Sequence, residues 1–394
     1  MKVTDFHFIQ LFFASLILGM LYLYFRFICI LTEKPRLRLL LGLIIVSFVF
    51  AIFFSFRLKS IGHSGFHVDL VSWYAYLGLG YLSFLLVLTG SRDTAFFIRR
   101  VYRRFKTPGP TLSPAGAERR FFLKQGASYT LATTAMALSG VGVYKSHKTP
   151  EVKEVSLPVK GLPQDLHGFS IVQITDLHLG PTLKRPFLER VVEQVNGLKP
   201  DIIALTGDLA DGYVDDLADQ AEPLRHAVSR YGNYFVTGNH EYYSRATEWI
   251  EAIGSMGFQT LINSHTLIRH NQGRIVLAGV TDLRAGGFIP SHRSDPYQAL
   301  KNAPDAHVRI LLAHQPKSVY EAALAGFDIQ ISGHTHGGQF FPWNYIIALN
   351  QPYIAGLYTH GRTLLYVSRG TGYWGPPMRL FAPSEITRLT LRVA

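Results

Sequence analysis

Two histidines stand two residues apart, His334 and His336, in the stretch Ser332-Gly-His-Thr-His-Gly-Gly-Gln339. In an extended segment that spacing puts both imidazoles on one face, and neutral imidazole is a common ligand for transition metals. The flanking glycines let the backbone turn tightly and come close to a ligand. Four more clusters have the same character. Asp176 and His178 lie two apart in Ile174-Thr-Asp-Leu-His178, and Asp208 and Asp211 share Thr206-Gly-Asp-Leu-Ala-Asp211. Asn239 and His240 sit in Thr237-Gly-Asn-His-Glu241, and His314 in Leu312-Ala-His-Gln-Pro316. Carboxylate, amide and imidazole together make a mixed oxygen and nitrogen donor set, which suits Mn, Fe or Zn better than Mg or Ca. Each cluster alone has a plain structural explanation: a helix cap for Asp176, a left-handed turn for Asn239, a hydrogen-bonded core ring for His314. Five in succession, each after an apolar run, point instead to one site.

The elements that must position these groups can be read from periodicity. Short apolar runs at 170–175, 202–206, 234–237, 274–278, 309–313, 327–332, 364–368 and 387–392 have the length and composition of strands. Helical spacing covers 186–198, 215–231, 246–256 and 317–325. Strands alternating with helices predict an α/β domain, with the polar clusters at strand ends where such domains place their sites.

The order Asp-x-His, Gly-Asp-x-x-Asp, Gly-Asn-His-Glu, a lone His, then Gly-His-x-His resembles the calcineurin-like metallophosphoesterase superfamily, over about 170–339. The tail segments Ser368-Arg-Gly-Thr-Gly372 and Pro377-Met-Arg-Leu-Phe-Ala-Pro-Ser-Glu-Ile386 look like the bacterial membrane-associated branch, relatives of UDP-2,3-diacylglucosamine hydrolases and exported cell-wall phosphoesterases. The resemblance implies a sandwich of two β-sheets flanked by helices and two divalent metal ions, Mn first, with Fe or Zn as alternatives. It assigns Asp176, His178 and His336 to one metal and Asn239, His314 and His334 to the other, with Asp208 bridging. The chemistry it implies is in-line attack on phosphorus by a hydroxide held between the metals. His240 would serve the leaving oxygen and Asp211 would orient it.

The charge is unevenly placed. Residues 1–150 hold 18 Lys and Arg against 5 Asp and Glu, whereas residues 151–394 hold 21 against 22. The second part therefore has no net attraction for nucleic acid. Apolar stretches near 8–25, 37–56 and 71–89 are of spanning length, and a weaker one at 127–144 predicts a fourth span. That gives a transmembrane region over 1–150 and a catalytic domain over 151–394, joined by a polar linker at 145–153. Arg119-Arg-Phe-Phe-Leu-Lys124 before the fourth stretch is similar to a twin-arginine export signal. Basic residues after the third stretch, from Arg92 to Lys106, read as a loop held at the cytoplasmic face. The expected location is thus a bacterial inner membrane, multi-pass, with the catalytic domain on the extracytoplasmic face. Twin-arginine or Sec machinery would be the export partner. The single cysteine, Cys29, excludes an intrachain disulfide.

The run Phe340-Phe-Pro-Trp-Asn-Tyr-Ile-Ile-Ala-Leu349, with Tyr353, Ile354, Leu357 and Tyr358, is either core or an apolar lip facing the bilayer. The lip reading predicts a lipid-linked or cell-envelope phosphoester substrate, and the resemblance implies a phosphodiesterase rather than a monoesterase. A non-catalytic scaffold on the same fold and a nuclease of the same superfamily are the competing functions.

Overall fold

The computed structural model describes residues 14–60, 64–106 and 114–394. The chain divides into two compact units, Met1–Gly142 and Val143–Ala394.

In the first unit three helices are long and apolar enough to cross a membrane: Ala14–Leu31, Pro35–Leu58 and Phe66–Arg103. Of the predicted first span, residues 8–13 lie outside the described residues. The expected fourth span is corrected. Its residues do form a helix, Pro114–Ser146, but the Ala-, Gly-, Thr- and Ser-rich sequence does not reach spanning hydropathy, leaving three candidates among the described residues. The basic segment after the third span is also corrected, since it is not a loop. The helix runs on without a break over Phe66–Lys106, because Arg and Lys are good helix formers and no Gly or Pro occurs between Ser91 and Lys106. Within it Asp93 binds Arg92 at 2.9 Å and takes Arg26 of the first span at 2.6 Å.

The second unit is built on two six-stranded sheets. The first has the order β1 (Glu151–Val159), β12 (Glu385–Val393), β2 (Ser170–Ile174), β3 (Ile202–Leu205), β4 (Asn233–Phe235), β5 (Phe258–Thr260). The second has the order β10 (Gly356–His360), β11 (Thr363–Val367), β9 (Ile329–Ser332), β8 (Val308–Leu312), β7 (Gly273–Gly279), β6 (Ser264–His270). β2 to β5 are parallel, as are β7, β8, β9 and β11.

Alternation along the strands sends side chains to two cores. Ile202 and Ala204 of β3 meet Ile310, Leu312, Ile329 and Ile331 between the sheets. Ile203 and Leu205 face outward onto Leu188, Val191 and Val195 of the helix Arg185–Gly197, with Trp249 and Ile253 beside them. The outer face of the second sheet carries Ala278, Leu311 and Ala313 against Ala322 and Phe327. This helix–sheet–sheet–helix layering is the expected calcineurin-like sandwich.

The helix predicted over 215–231 is shorter, Val214–Ala221 followed by a 3₁₀ segment Glu222–His226, because Pro223 cannot donate to the preceding turn. The polar linker expected over 145–153 is mostly structured: the helix reaches Ser146, and β1 begins at Glu151. β1, β5, β6 and β10 had no counterpart in the periodicity. Each is at a sheet edge or one from it, where polar residues interrupt the apolar pattern.

Candidate metal centre

The candidate ligands all follow strand ends: Asp176 and His178 after β2, Asp208 after β3, Asn239 after β4, His314 after β8, and His334 and His336 after β9. Five of these seven have left-handed backbone, with φ of 54° at Asp176, 49° at His178, 54° at Asp208, 74° at His334 and 52° at His336. Non-glycine residues adopt this region at a cost, and such residues collect at functional sites. Cross-links between the strand-end loops hold the conformation. The Asp176 amide donates to Gly207 O (3.0 Å) and the His178 amide to Asp208 O (3.1 Å). The His334 amide donates to the Asp176 carboxylate at 3.0 Å. The loops approach so closely that a methyl group on Gly238 would overlap Asp208 Oδ1, and one on Gly333 would overlap Asp176 Oδ2.

Two groups of donor atoms result, Asp176 with His178 and His336, and Asp208 with His314 and His334, each with its ligand atoms within 4.8 Å of one another. His178 Nε2 lies 3.1 Å from His336 Nε2, and His314 Nε2 lies 3.1 Å from both His334 Nδ1 and Asp208 Oδ2. The same Oδ2 is 3.8 Å from His178 Nε2, so Asp208 reaches both groups.

The hydrogen bonds on the far sides of the rings test whether a metal fits. His314 Nδ1 donates to Thr206 O at 2.8 Å, and His178 Nδ1 donates to Asp211 Oδ1 at 2.8 Å. In the neutral rings both Nε2 atoms therefore carry lone pairs, and that of His314 faces the carboxylate oxygen Asp208 Oδ2 at 3.1 Å. Only an extra proton or a cation relieves that arrangement. Asn239 Oδ1 is buried with no hydrogen-bond partner, an expensive state for an amide oxygen unless a ligand takes its lone pair. The donor set fits a metal ion. His240 also stands close enough to His178 and Asp208 to complete a third triple.

Electrostatics sort the rings by role. Burial works against the Asp208 charge, but His314 and then His240 hold its carboxyl well below the usual range. The reciprocal effect of Asp208 lifts His314 well above its ordinary value despite burial. Burial and then the charge on His314 push His334 down to about 3. Burial, His178 and Arg379 push His336 well below its usual range. His334 and His336 are thus neutral at ordinary pH, the form that ligates metal. For His240, Asp208 and Asp211 outweigh burial and raise the ring to about 9.

The structure links eight of the nine predicted site residues directly, places Asn239 next to His240 at the start of the helix Asn239–Tyr243, and widens the role of one. Asp211 Oδ1 takes His240 Nδ1 at 2.7 Å and His178 Nδ1 at 2.8 Å, so one carboxylate orients both rings. Two residues given no role from the sequence also belong here. Glu241 accepts the amides of Gly238 (2.6 Å), Leu209 (2.8 Å) and Asp208 (3.0 Å), tying the β3 and β4 loops together. Its place beside Asn239 and His240 was the available signal. Arg379, buried and, among the described residues, without a carboxylate partner in hydrogen-bond range, donates to the carbonyls of His336 (2.9 Å) and Arg369 (2.8 Å), and its Nη2 lies 3.1 Å from His336 Nδ1. A charged residue inside an otherwise apolar tail motif was the corresponding clue.

Residues 169–338 match the Calcineurin-like phosphoesterase family. A zebrafish (Danio rerio) "transmembrane protein with metallophosphoesterase domain" is 42% identical over 265 residues, covering 65% of this chain and 61% of the relative. An uncharacterized metallophosphoesterase of Campylobacter jejuni is 37% identical over 67% of this chain and 69% of its own. One of Bacillus subtilis is 31% identical over 70% and 97%. The chain spans about three fifths of the length of the vertebrate relatives, 61% for the zebrafish protein and 60% for a bovine one.

Proposed function

Because this chain belongs to the calcineurin-like metallophosphoesterase family, we propose that it is a membrane-anchored, two-metal phosphodiesterase acting on a lipid-linked or cell-envelope phosphoester or pyrophosphate. The observations that carry the hydrolase reading are the two groups of metal-ligating side chains that share Asp208 and, in the strand-end loop beside them, an Asn239 Oδ1 buried without a partner among the described residues. In the proposal Asp176, His178 and His336 hold one ion, Asn239, His314 and His334 hold the other, and Asp208 contacts both. Manganese is the first choice, with iron or zinc behind it.

Bound there, divalent ions would supply Lewis acidity toward the phosphoryl oxygens and lower the pKa of water at neutral pH. The protein's own groups do the rest. His240, protonated below about 9, donates a proton to the leaving oxygen. Asp211 keeps its Nδ1–H engaged at 2.7 Å, leaving Nε2 for the substrate. Glu241 and Arg379 hold the loops and turn that carry the ligands.

The lipid-linked reading is supported by the run after the metal-binding turn. Its helix Trp343–Ala348 buries no residue, and Phe341, Trp343, Tyr345, Ile346 and Leu349 are exposed. Tyr353 and Tyr358 instead pack partly against Val319, Leu365 and Val367, so they leave the proposed lip. Three apolar helices in the same chain keep the enzyme at a membrane. The extracytoplasmic placement, the inner membrane and passage through twin-arginine or Sec machinery rest on the paired Arg119 and Arg120 as an export signal; three spans alone, with the basic residues around Arg99 and Arg103 at the cytoplasmic face, would leave the domain inside.

The test of the hydrolase reading is Asp208→Asn in the full-length protein. Turnover of aryl phosphodiesters should vanish and bound metal should fall, with the circular dichroism spectrum retained. Unchanged turnover ends the reading.

A further inference from the structure

Beside His240 stands a group of aromatic rings that metal binding does not require. The His240 ring lies 5.2 Å from Tyr243 and 5.8 Å from Trp374, both edge-on. Tyr243 is 5.7 Å from Phe288. Tyr243, Trp374 and Phe288 are 46%, 49% and 51% exposed, so the three rings present an open apolar surface next to a reactive one. Contiguous exposed apolar surface of this kind marks a place where something binds. Trp374 is not loose. Its amide donates to Gln339 Oε1, and its carbonyl accepts from Gln339 Nε2, both at 2.9 Å. Gln339 ends the turn that carries His334 and His336.

A cation stands at the same place. Arg284 is exposed, its Nη1 donates to Tyr243 Oη at 3.2 Å, and its amide is anchored on Asp282 Oδ1 at 2.8 Å. Among the described residues no carboxylate pairs with its guanidinium. A planar guanidinium without a carboxylate partner, next to a phosphoester site, is suited to bidentate capture of a further anion.

We propose that Arg284, Tyr243, Phe288 and Trp374 form the leaving-group subsite, and that it takes a leaving group bearing an anion of its own on a flat or apolar body. This rests on the reading above in which His240 serves the leaving oxygen, because the rings flank that histidine. The guanidinium takes the second anion and the rings take the body of the group. Arg284 is then a specificity residue: it selects which phosphoester is cut without touching the reacting phosphorus.

The test uses full-length, metal-loaded protein and two methyl aryl phosphodiesters, with a 4-sulfonatomethyl or a 4-ethyl group on the aryl leaving group. Sulfonate ligates metals weakly, so a preference for it reports on the guanidinium. The expected ratio of kcat/KM for the anionic over the ethyl substrate is about tenfold or more, as for a charge-assisted contact. It collapses to near unity in Arg284→Ala and returns in part in Arg284→Lys. Calorimetric titration with the two product phenols should show the same preference and the same loss. A ratio retained in Arg284→Ala, with both rates falling together or neither changing, overturns the proposal. So does equal binding of the two phenols to the unaltered protein. Should neither diester turn over while the phenol preference stands, the diesterase reading fails and the subsite survives.

Discussion

Replacing Asp211 by Asn tests the acid role of His240. Asp208 and Asp211 together lift His240 from its ordinary 6.5 to about 9 against burial. Asp211 is the nearer at 2.7 Å, whereas Asp208 Oδ2 stands 4.0 Å from Nε2. The amide keeps a carbonyl acceptor and loses the charge, so the change is the difference between a charge-assisted and a neutral hydrogen bond, about 1 kcal/mol or somewhat more. That is about one pKa unit. In protein kept saturated with metal, the alkaline limb of kcat/KM should therefore move down by about one unit, while metal affinity also falls because the same carboxylate orients His178. Stability follows the same groups. His240, raised on folding, contributes fully below 6.5 and loses its contribution as pH rises through about 9. Asp211, depressed on folding, contributes above its ordinary 3.8 and loses its contribution as pH falls through its lower folded value. In metal-free protein the gap in Tm between wild type and variant should be widest from about pH 4 to 6.5 and close toward about 9. An alkaline limb that stays in place in Asp211→Asn refutes the acid assignment.

Removing the ring altogether, His240→Ala, should lower the rate by roughly 10²–10⁴, the usual reach of general acid help, with bound metal retained. The loss should shrink for substrates with good leaving groups, and an equal loss across a leaving-group series counts against proton donation. Changing Phe341, Trp343 and Ile346 to Ser should depress turnover of micellar lipid phosphodiesters and spare small aryl diesters; parallel loss of both assigns these residues to folding. A periplasmic reporter fused after Ala394 should be active outside the cytoplasm, and activity confined to the cytoplasm reverses the proposed orientation.

The sequence was most informative where a few atoms of fixed chemistry must meet. The oxygen and nitrogen donors from Asp176 to His336 were legible because ligand types and short spacings are local, and the apolar runs before them named the strands that present them. The central strands β2, β3, β8 and β9 were readable for a related reason, being buried on both faces and so nearly all apolar. β1, half exposed along most of its length, looked like linker, because its place is decided by pairing with β12 at the far end of the chain. The span count went astray at 127–144, where helix length was right but hydropathy was too low.

Tertiary structure decided everything that depends on distant residues sharing a point in space. The sequence offered Asp211 as a partner for one histidine, and the fold gave it two, because the loops after β2 and β4 converge on the loop after β3. Glu241 and Arg379 gained roles only when the backbone amides and carbonyls they satisfy were brought around them. Tyr243, Arg284 and Trp374 come from segments far apart in the chain, so no spacing rule could connect them. Ligand chemistry is carried by side-chain type and is written locally; orientation, charge balance and the walls of a site are set by packing between strands, which only the folded chain defines.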